Sequence, residues 1–318
     1  MKNKLIKFLK ISLPITIGVY LTWYFVSNST EKEKEYFLNS LSEANYGWLL
    51  VALIIAFFSH LSRAYRWKFL LETLDLKPKL SLMYHSVMIG YIINLTIPRS
   101  GELARAAYFS RYQKTKSDQI FGTIVIERVI DLIMFALIFF IAFLFQADQE
   151  KFNEIRQISN SSYNPFFLTS LMILAIIFLG TLIGLKKVRV KALNFLKGII
   201  QGATTILRLK NKISFLIHTF FIWACYISML WITALALSDI ENITINAIFA
   251  CFIAGTIAIG ATPGGIGLYP IMVASVLIEL YGYDGQVAKS FGMLMWSSQT
   301  IFMILLGIIS LIAIKKEN

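Results

Sequence analysis

Two cysteines and three histidines among 318 residues leave little from which to build a metal centre or a thiol catalyst. Cys225 and Cys251 fall in apolar runs without metal-ligand spacing and read as small buried side chains. His60, His85 and His218 are scattered, with no carboxylate at ligand spacing, and read as polar helix residues. The chain has no His-Glu-x-x-His and no Gly-x-Ser-x-Gly, and its one glycine cluster lacks the Lys-Ser/Thr of a nucleotide loop. No catalytic residue, metal or cofactor is therefore expected. Acid is scarce as well, with 18 Asp and Glu against 30 Lys and Arg, a net charge of +12. The basic residues sit between apolar runs, where they report topology and attract anionic lipid heads, so no nucleic-acid partner is expected. No hydrophilic segment is left over for a soluble catalytic domain.

What fills the chain is apolar. A hydrophobic content of 57% and a mean hydropathy of +0.67 exceed what a soluble domain carries. The runs are continuous and of helix length, without the short alternating segments of an outer-membrane barrel. The expected class is all-α, a polytopic helical membrane protein in one integral membrane domain, 1–318.

The first run, about Phe8 to Val26, follows Lys2, Lys4 and Lys7 and is read as an uncleaved span. The loop after it carries Glu31, Glu33, Glu35 and Glu43, which puts the N-terminus in the cytoplasm. The second span, Gly47 to Leu71, carries His60, Arg63, Arg66 and Trp67 at helical spacing, which reads as interfacial anchoring. Leu80 to Ile97 has basic loops on both sides, so a hairpin that dips in, breaks at Pro98 to Gly101 and returns fits the charge rule better than a crossing. Span three is Gln119 to Phe145. An outer loop with Asp148, Glu150 and Glu154 leads to span four, Pro165 to Leu185. Between Lys186 and Lys212 there are eight basic residues and no acid, and the apolar positions recur at 3.6-residue spacing. That segment, 186–212, reads as an amphipathic helix on the inner leaflet.

Span five, Ile213 to Leu237, leads to an acidic loop with Asp239 and Glu241. The run from Ile245 is then broken at Thr262 to Gly267 and is expected to turn back from the outside. Span six, Gln286 to Ile314, ends inside at Lys315 and Lys316, which puts the C-terminus in the cytoplasm. The order is span, span, broken hairpin, span, repeated: an inverted-topology repeat of 1–146 and 165–314, with six full spans and two re-entrant hairpins, or eight spans if the hairpins cross. In such transporters the paired breaks build the substrate site.

Charge concentrates between Asn94 and Asp131. Ser100 is a candidate N-cap, and Glu102 and Arg105 are three apart on the helix that starts at Gly101. A half-helix N-terminus together with Arg99 and Arg105 suits a phosphate. Glu127, Arg128 and Asp131 lie about 12 to 18 Å into span three, at about 1.5 Å per residue. Glu127 and Asp131 share a face there and Arg128 can pair with Asp131. Burial of each such charge costs about 2.5 to 3.5 kcal/mol, which favours a substrate or proton path, although a purely structural ion-pair network uses the same groups. Pro263, Gly264, Gly265 and Gly267 permit a tight reversal and close approach of helices or a lipid head.

Three stretches carry a family resemblance: R-A-Y-R-W-K-F-L-L (Arg63 to Leu71), N-L-T-I-P-R-S-G-E-L-A-R (Asn94 to Arg105) with E-R-V-I-D (Glu127 to Asp131), and P-G-G-I-G (Pro263 to Gly267). In order and separation they resemble the membrane domain of lysylphosphatidylglycerol synthases, flippase-like integral membrane proteins. The resemblance implies a bacterial or archaeal inner-membrane protein that moves or presents a polar phospholipid between leaflets. It implies no aminoacyl-lipid synthesis, because the soluble transferase domain of the larger members is not found before Asn318. The family's glycine turn is commonly followed by an acid, whereas Leu268, Tyr269 and Pro270 follow here. The expected partner is a membrane phospholipid, with a homo-oligomer and a separate lipid-modifying enzyme both open. Two other functions need the same charges: a proton-coupled carrier of a small anionic metabolite, and a non-transporting scaffold or lipid-modification subunit.

Overall fold

The computed structural model describes residues 16, 18–24, 27, 30–97, 100–146, 190, 197, 198, 200, 202 and 204–315. Span four, the acidic loop before it, most of the basic segment 186–212, and Pro98 and Arg99 lie outside the described residues. Two compact units divide the chain, one of Met1–Ile124 with Lys210–Asn318 and one of Val125–Leu209. All regular structure among the described residues is helical.

In the first unit residues 18–24 are helical. Then come α1 (Glu31–Glu43), α2 (Tyr46–Leu71), α3 (Leu80–Thr96), α4 (Gly101–Gln113) and the start of α5 (Ser117–Gln146). After the second unit follow α6 (Lys212–Ala234), α7 (Ile245–Ala261), α8 (Leu268–Tyr281) and α9 (Gly285–Lys315). Among the described residues three stretches are long and apolar enough to cross a bilayer: Tyr46–Leu74, Lys212–Ala234 and Gly285–Ala313. They coincide with expected spans two, five and six. Shorter apolar helices are Leu80–Thr96, Ile245–Ala261 and Leu268–Tyr281.

The expected acidic loop after span one is instead the helix α1. Its start is a capping box, with Thr30 Oγ1 accepting from the Glu33 N–H at 3.2 Å and Glu33 Oε2 accepting from the Thr30 N–H at 2.8 Å. The other Glu33 oxygen pairs with Lys289 of α9 at 2.7 Å. Burial alone would raise the Glu33 carboxyl, but the hydrogen bond from Lys289 and those from Thr30 outweigh it and hold the group below its usual range. One turn on, Tyr36 donates to Asp239 of the turn after α6. Its hydroxyl is pushed up to about 12 by burial and by that carboxylate. The Asn45 N–H reaches the Ala236 carbonyl at 2.9 Å. Thus α1, the α6–α7 connection and the start of α9, all expected on one side, do meet at one face.

The two interrupted segments are built alike. α3 and α7 have 17 residues each, about 26 Å and short of a 30 Å core, and their second arms α4 and α8 have 13 and 14. Each first arm ends on an extended residue before a proline, Ile97 (φ −125°) before Pro98 and Thr262 (φ −121°) before Pro263, because a residue preceding proline is pushed out of the helical region. Each pair of arms folds back on itself. A Cβ on Gly101 would lie 2.1 Å from the Gly90 carbonyl oxygen, and one on Gly255 would lie 2.4 Å from the Tyr269 ring. The breaks approach one another, since a Cβ on Gly264 would lie 2.2 Å from Leu95 Cδ2.

In the second unit, α5 continues from Val125 with Glu127 and Asp131 buried, and Gly202 sits against Val129, where a Cβ would come within 2.8 Å of Cγ1.

Candidate functional site

Trp67, near the end of α2, is wholly buried. Its Nε1–H donates to Thr123 Oγ1 of α5 at 2.9 Å, and its ring lies 4.7 Å from that of Phe109 on α4. Over it stands Arg105 of α4, with Cζ 3.8 Å from the ring centroid. A guanidinium that close to an indole face gains from the ring quadrupole while its apolar side is shielded. Arg66, one residue before Trp67, has its Cζ 5.4 Å from the Phe215 ring of α6 and donates through NH1 to Thr219 Oγ1 at 3.1 Å. Thr219 donates in turn to the Phe215 carbonyl at 2.9 Å, which leaves its lone pairs for the arginine. Arg63, one turn earlier, stands 6.0 Å from the Tyr91 ring of α3.

These three arginines are 4%, 0% and 3% exposed for Arg63, Arg66 and Arg105, which overturns the interfacial reading of Arg63, Arg66 and Trp67. Anchors of that kind keep their heads in water, whereas here each head lies against an aromatic face inside the first unit. The arrangement concentrates cationic donors in fixed planar forks, walled by Trp67, Phe109, Tyr91 and Phe215.

The other expected site residues fall in three groups. At the first break, Asn94 Oδ1 accepts from the Gly101 N–H at 2.7 Å, and Gly101 and Arg105 are buried while Glu102 is half-buried. Ser100 is not the cap expected: its backbone is helical, its side chain makes no cap bond, and its hydroxyl donates back to the Ile97 carbonyl at 2.6 Å. Asn94, seven residues upstream, takes the terminal N–H instead. At the second break, Gly264, Gly265 and Gly267 have φ of 58°, 74° and 71°, the left-handed region that glycine enters without strain. Pro263 and Gly265 are buried there, and the Gly264 carbonyl accepts from Trp296 Nε1 at 2.9 Å. In the second unit, Arg128 pairs with Asp131 at 3.6 Å, as their spacing predicts, and Glu127 is fully buried. Arg99 belongs to the undescribed residues.

Against known proteins, the lysylphosphatidylglycerol synthase TM region family matches residues 11–307. A UPF0104 membrane protein of Methanocaldococcus jannaschii is 29% identical over 107 residues, which is 33% of this chain and 31% of that protein. The match therefore spans about a third of that relative. No solved structure matches.

Proposed function

The chain belongs to the lysylphosphatidylglycerol synthase TM region family, a multi-pass membrane protein linked to lipid handling, and from that premise we propose that it moves a polar phospholipid between leaflets. The observation that carries this reading is the set of three buried guanidiniums, Arg63, Arg66 and Arg105, each held against an aromatic ring. Burying an arginine at membrane depth costs about 2.5 to 3.5 kcal/mol on the insertion scale, so three in one cluster favour a functional role, and their planar N–H forks suit a phosphate. Arg99 and the α4 start at Gly101, whose dipole end is positive, complete the phosphate site. Glu102 supplies a carboxylate that responds to a cationic part of the head, and in the second unit Glu127 and Asp131, with Arg128 holding Asp131, are assigned the response to a proton.

The architecture we assign is an inverted repeat of 1–146 and 165–314, with six spans and two re-entrant hairpins. Matched lengths support it: 26 and 23 residues in α2 and α6, 17 and 17 in α3 and α7, 13 and 14 in α4 and α8, 30 and 31 in α5 and α9. Contact of Gly264 with Leu95 supports breaks that work as a pair, with Asn94 on one side and Pro263, Gly265 and Gly267 on the other. The face carrying α1 is assigned to the outside of a bacterial or archaeal inner membrane, with both termini cytoplasmic.

The test is translocation of a fluorescent anionic phospholipid in proteoliposomes. Arg66→Gln, Arg105→Ala and Asp131→Asn are expected to slow it about 10- to 150-fold, the range of one charge-assisted hydrogen bond, with the elution profile unchanged. Arg105→Lys keeps the charge and loses the stacked fork, so it falls between. Wild-type rates in all of these variants remove the arginines from the mechanism. Uptake of a soluble anion without lipid movement points to the metabolite carrier, and no transport at all points to a scaffold or a lipid-modification subunit.

A further inference from the structure

None of the 13 residues of α1 is buried, and its apolar side chains Phe37 and Leu41 are only half-buried, so little apolar surface holds the helix in place. A helix of this length is marginal in water by itself and depends on its contacts. Two of these run between side chains far apart in the chain. Glu33 pairs with Lys289 at the start of α9, and the Tyr36 hydroxyl donates to Asp239 in the α6–α7 connection. Both partners are assigned to the second repeat, although α1 leads into α2 of the first. Each contact lies at the surface, where such a pair shifts an equilibrium by no more than about fivefold. The chain on either side of α1 is fixed more firmly. Upstream, residues 18–24 lie against the second break, where a Cβ on Gly267 would come within 2.6 Å of the Gly18 carbonyl oxygen and of the Thr22 nitrogen. Downstream, the Asn45 N–H is bound to the Ala236 carbonyl at 2.9 Å while the Asn45 side chain caps α2. Between α1 and that cap stands Ala44, whose φ of −58° and ψ of 137° lie outside the helical region. This joint lets α1 lift from its partners without unwinding α2. A helix held by weak polar contacts between two firm anchors is of the kind that opens locally.

We propose that α1 is a strap across the outer face, closed in this structure, and that it lifts from Lys289 and Asp239 in each translocation cycle. The strap rests on the lipid-translocation reading and on the assignment of this face to the outside, and it adds a moving part to them. Glu33 with Lys289 and Tyr36 with Asp239 are the catches, Ala44 is the joint, and Asn45 on Ala236 is the anchor. While the catches hold, the start of α9 and the α6–α7 connection stay tied to the entry of α2. In a carrier built of inverted repeats those outer ends separate when the site opens to that side.

Glu33→Cys combined with Lys289→Cys, joined by a reducible bis-methanethiosulfonate cross-linker, fixes one catch shut. Cys225 and Cys251 are buried and stay out of reach of the reagent. Movement of a fluorescent anionic phospholipid in proteoliposomes is expected to fall to the level of protein-free vesicles on cross-linking and to return on reduction, which also shows that the variant is folded. Each single-cysteine variant is expected to be unaffected by the reagent. Spin labels at Glu35 and Glu241, both exposed, read the strap without reference to transport. Wild-type protein is expected to give one distance between them. Tyr36→Phe combined with Lys289→Met, which removes both catches, is expected to add a second, longer distance, its share rising by up to about fivefold for each catch lost. Cross-linked protein that moves lipid as fast as reduced protein overturns the strap and leaves translocation standing. A single unchanged distance in the catch-free variant also overturns it, since α1 would then be a fixed part of the wall. A second distance in a protein that moves no lipid under any condition is a failure of the translocation reading and not of the strap's motion.

Discussion

Replacing Gly101 with alanine tests whether the first break is held by backbone contact. Its new Cβ would lie 2.1 Å from the Gly90 carbonyl oxygen and 2.5 and 2.6 Å from Cγ and Nδ2 of Asn94. Two of these neighbours are fixed, one as helix backbone and one by its hydrogen bond to the Gly101 N–H. Relief therefore requires α3 and α4 to part by about an ångström. Overpacking of that kind costs about 1 to 3 kcal/mol, and loss of the Asn94 bond adds about 0.5 to 1.5 kcal/mol. The sum is about 1.5 to 4.5 kcal/mol. Gly122→Ala on α5 is the control, because nothing lies within 4 Å of its Cβ and the helix interior gains up to about 1 kcal/mol from alanine. Unfolding by SDS in mixed micelles measures both. Asn94→Ala separates the two contributions, since it removes the hydrogen bond and leaves Gly90 where it is. Equal midpoints for Gly101→Ala and Gly122→Ala would refute the close approach, and a value for Asn94→Ala as low as that for Gly101→Ala would reduce the whole effect to the hydrogen bond.

Gly264→Ala is expected to destabilise the protein and stop translocation, because it forces a side chain to φ 58° and into Leu95, whereas Gly260→Ala at a site with open space around its Cβ leaves both intact. Comparable behaviour of the two would mean that the second break is not a constrained turn. The Glu33–Lys289 pair sets a pH dependence. Glu33 has its folded-state pKa held below the ordinary 4.5, so its contribution is present above that value and is lost as pH falls through the folded pKa. The pair is partly exposed and is worth under about 1 kcal/mol. The gap in thermal midpoint between wild type and Lys289→Met should close as pH falls from 4.5, and a gap constant with pH would show that the lysine acts through packing alone.

The long helices were legible because their apolar runs are continuous and bounded by charge: Gly47 to Leu71 became Tyr46–Leu71, and Gln286 to Ile314 became Gly285–Lys315. The breaks were legible for a related reason, as proline after an apolar run forces its predecessor to extend. α1 was missed although its signal is local. Thr30 and Glu33 stand at capping-box spacing, but the density of charge after the first apolar run favoured a loop. Asn94 as the partner of Gly101 had no local signal, because a bond across seven residues exists only once the arms fold back.

Arg63 and Arg66 are the instructive failure. Helical spacing put them on one face but did not say whether water or protein covers it; the cover over Arg66 comes from Phe215 and Thr219, about 150 positions away, and that over Arg63 from Tyr91 of α3. A signal was present in the residues before them. Ala52, Ala56, Ser59, Arg63, Arg66 and Leu70 follow one another at spacings of four and three, and all are at most 4% exposed. A stripe of small side chains lets another helix approach closely, and α2 is packed by α6 and by α3, which meet the stripe at Arg66 and at Arg63. An arginine that continues such a stripe is carried into the contact with the rest of it. A snorkelling cation lies off the stripe, as the more exposed Lys68 does while pairing with Glu72 at 3.8 Å. Whether a charge at the end of an apolar helix is an anchor or part of a site is thus decided by which stripe it continues.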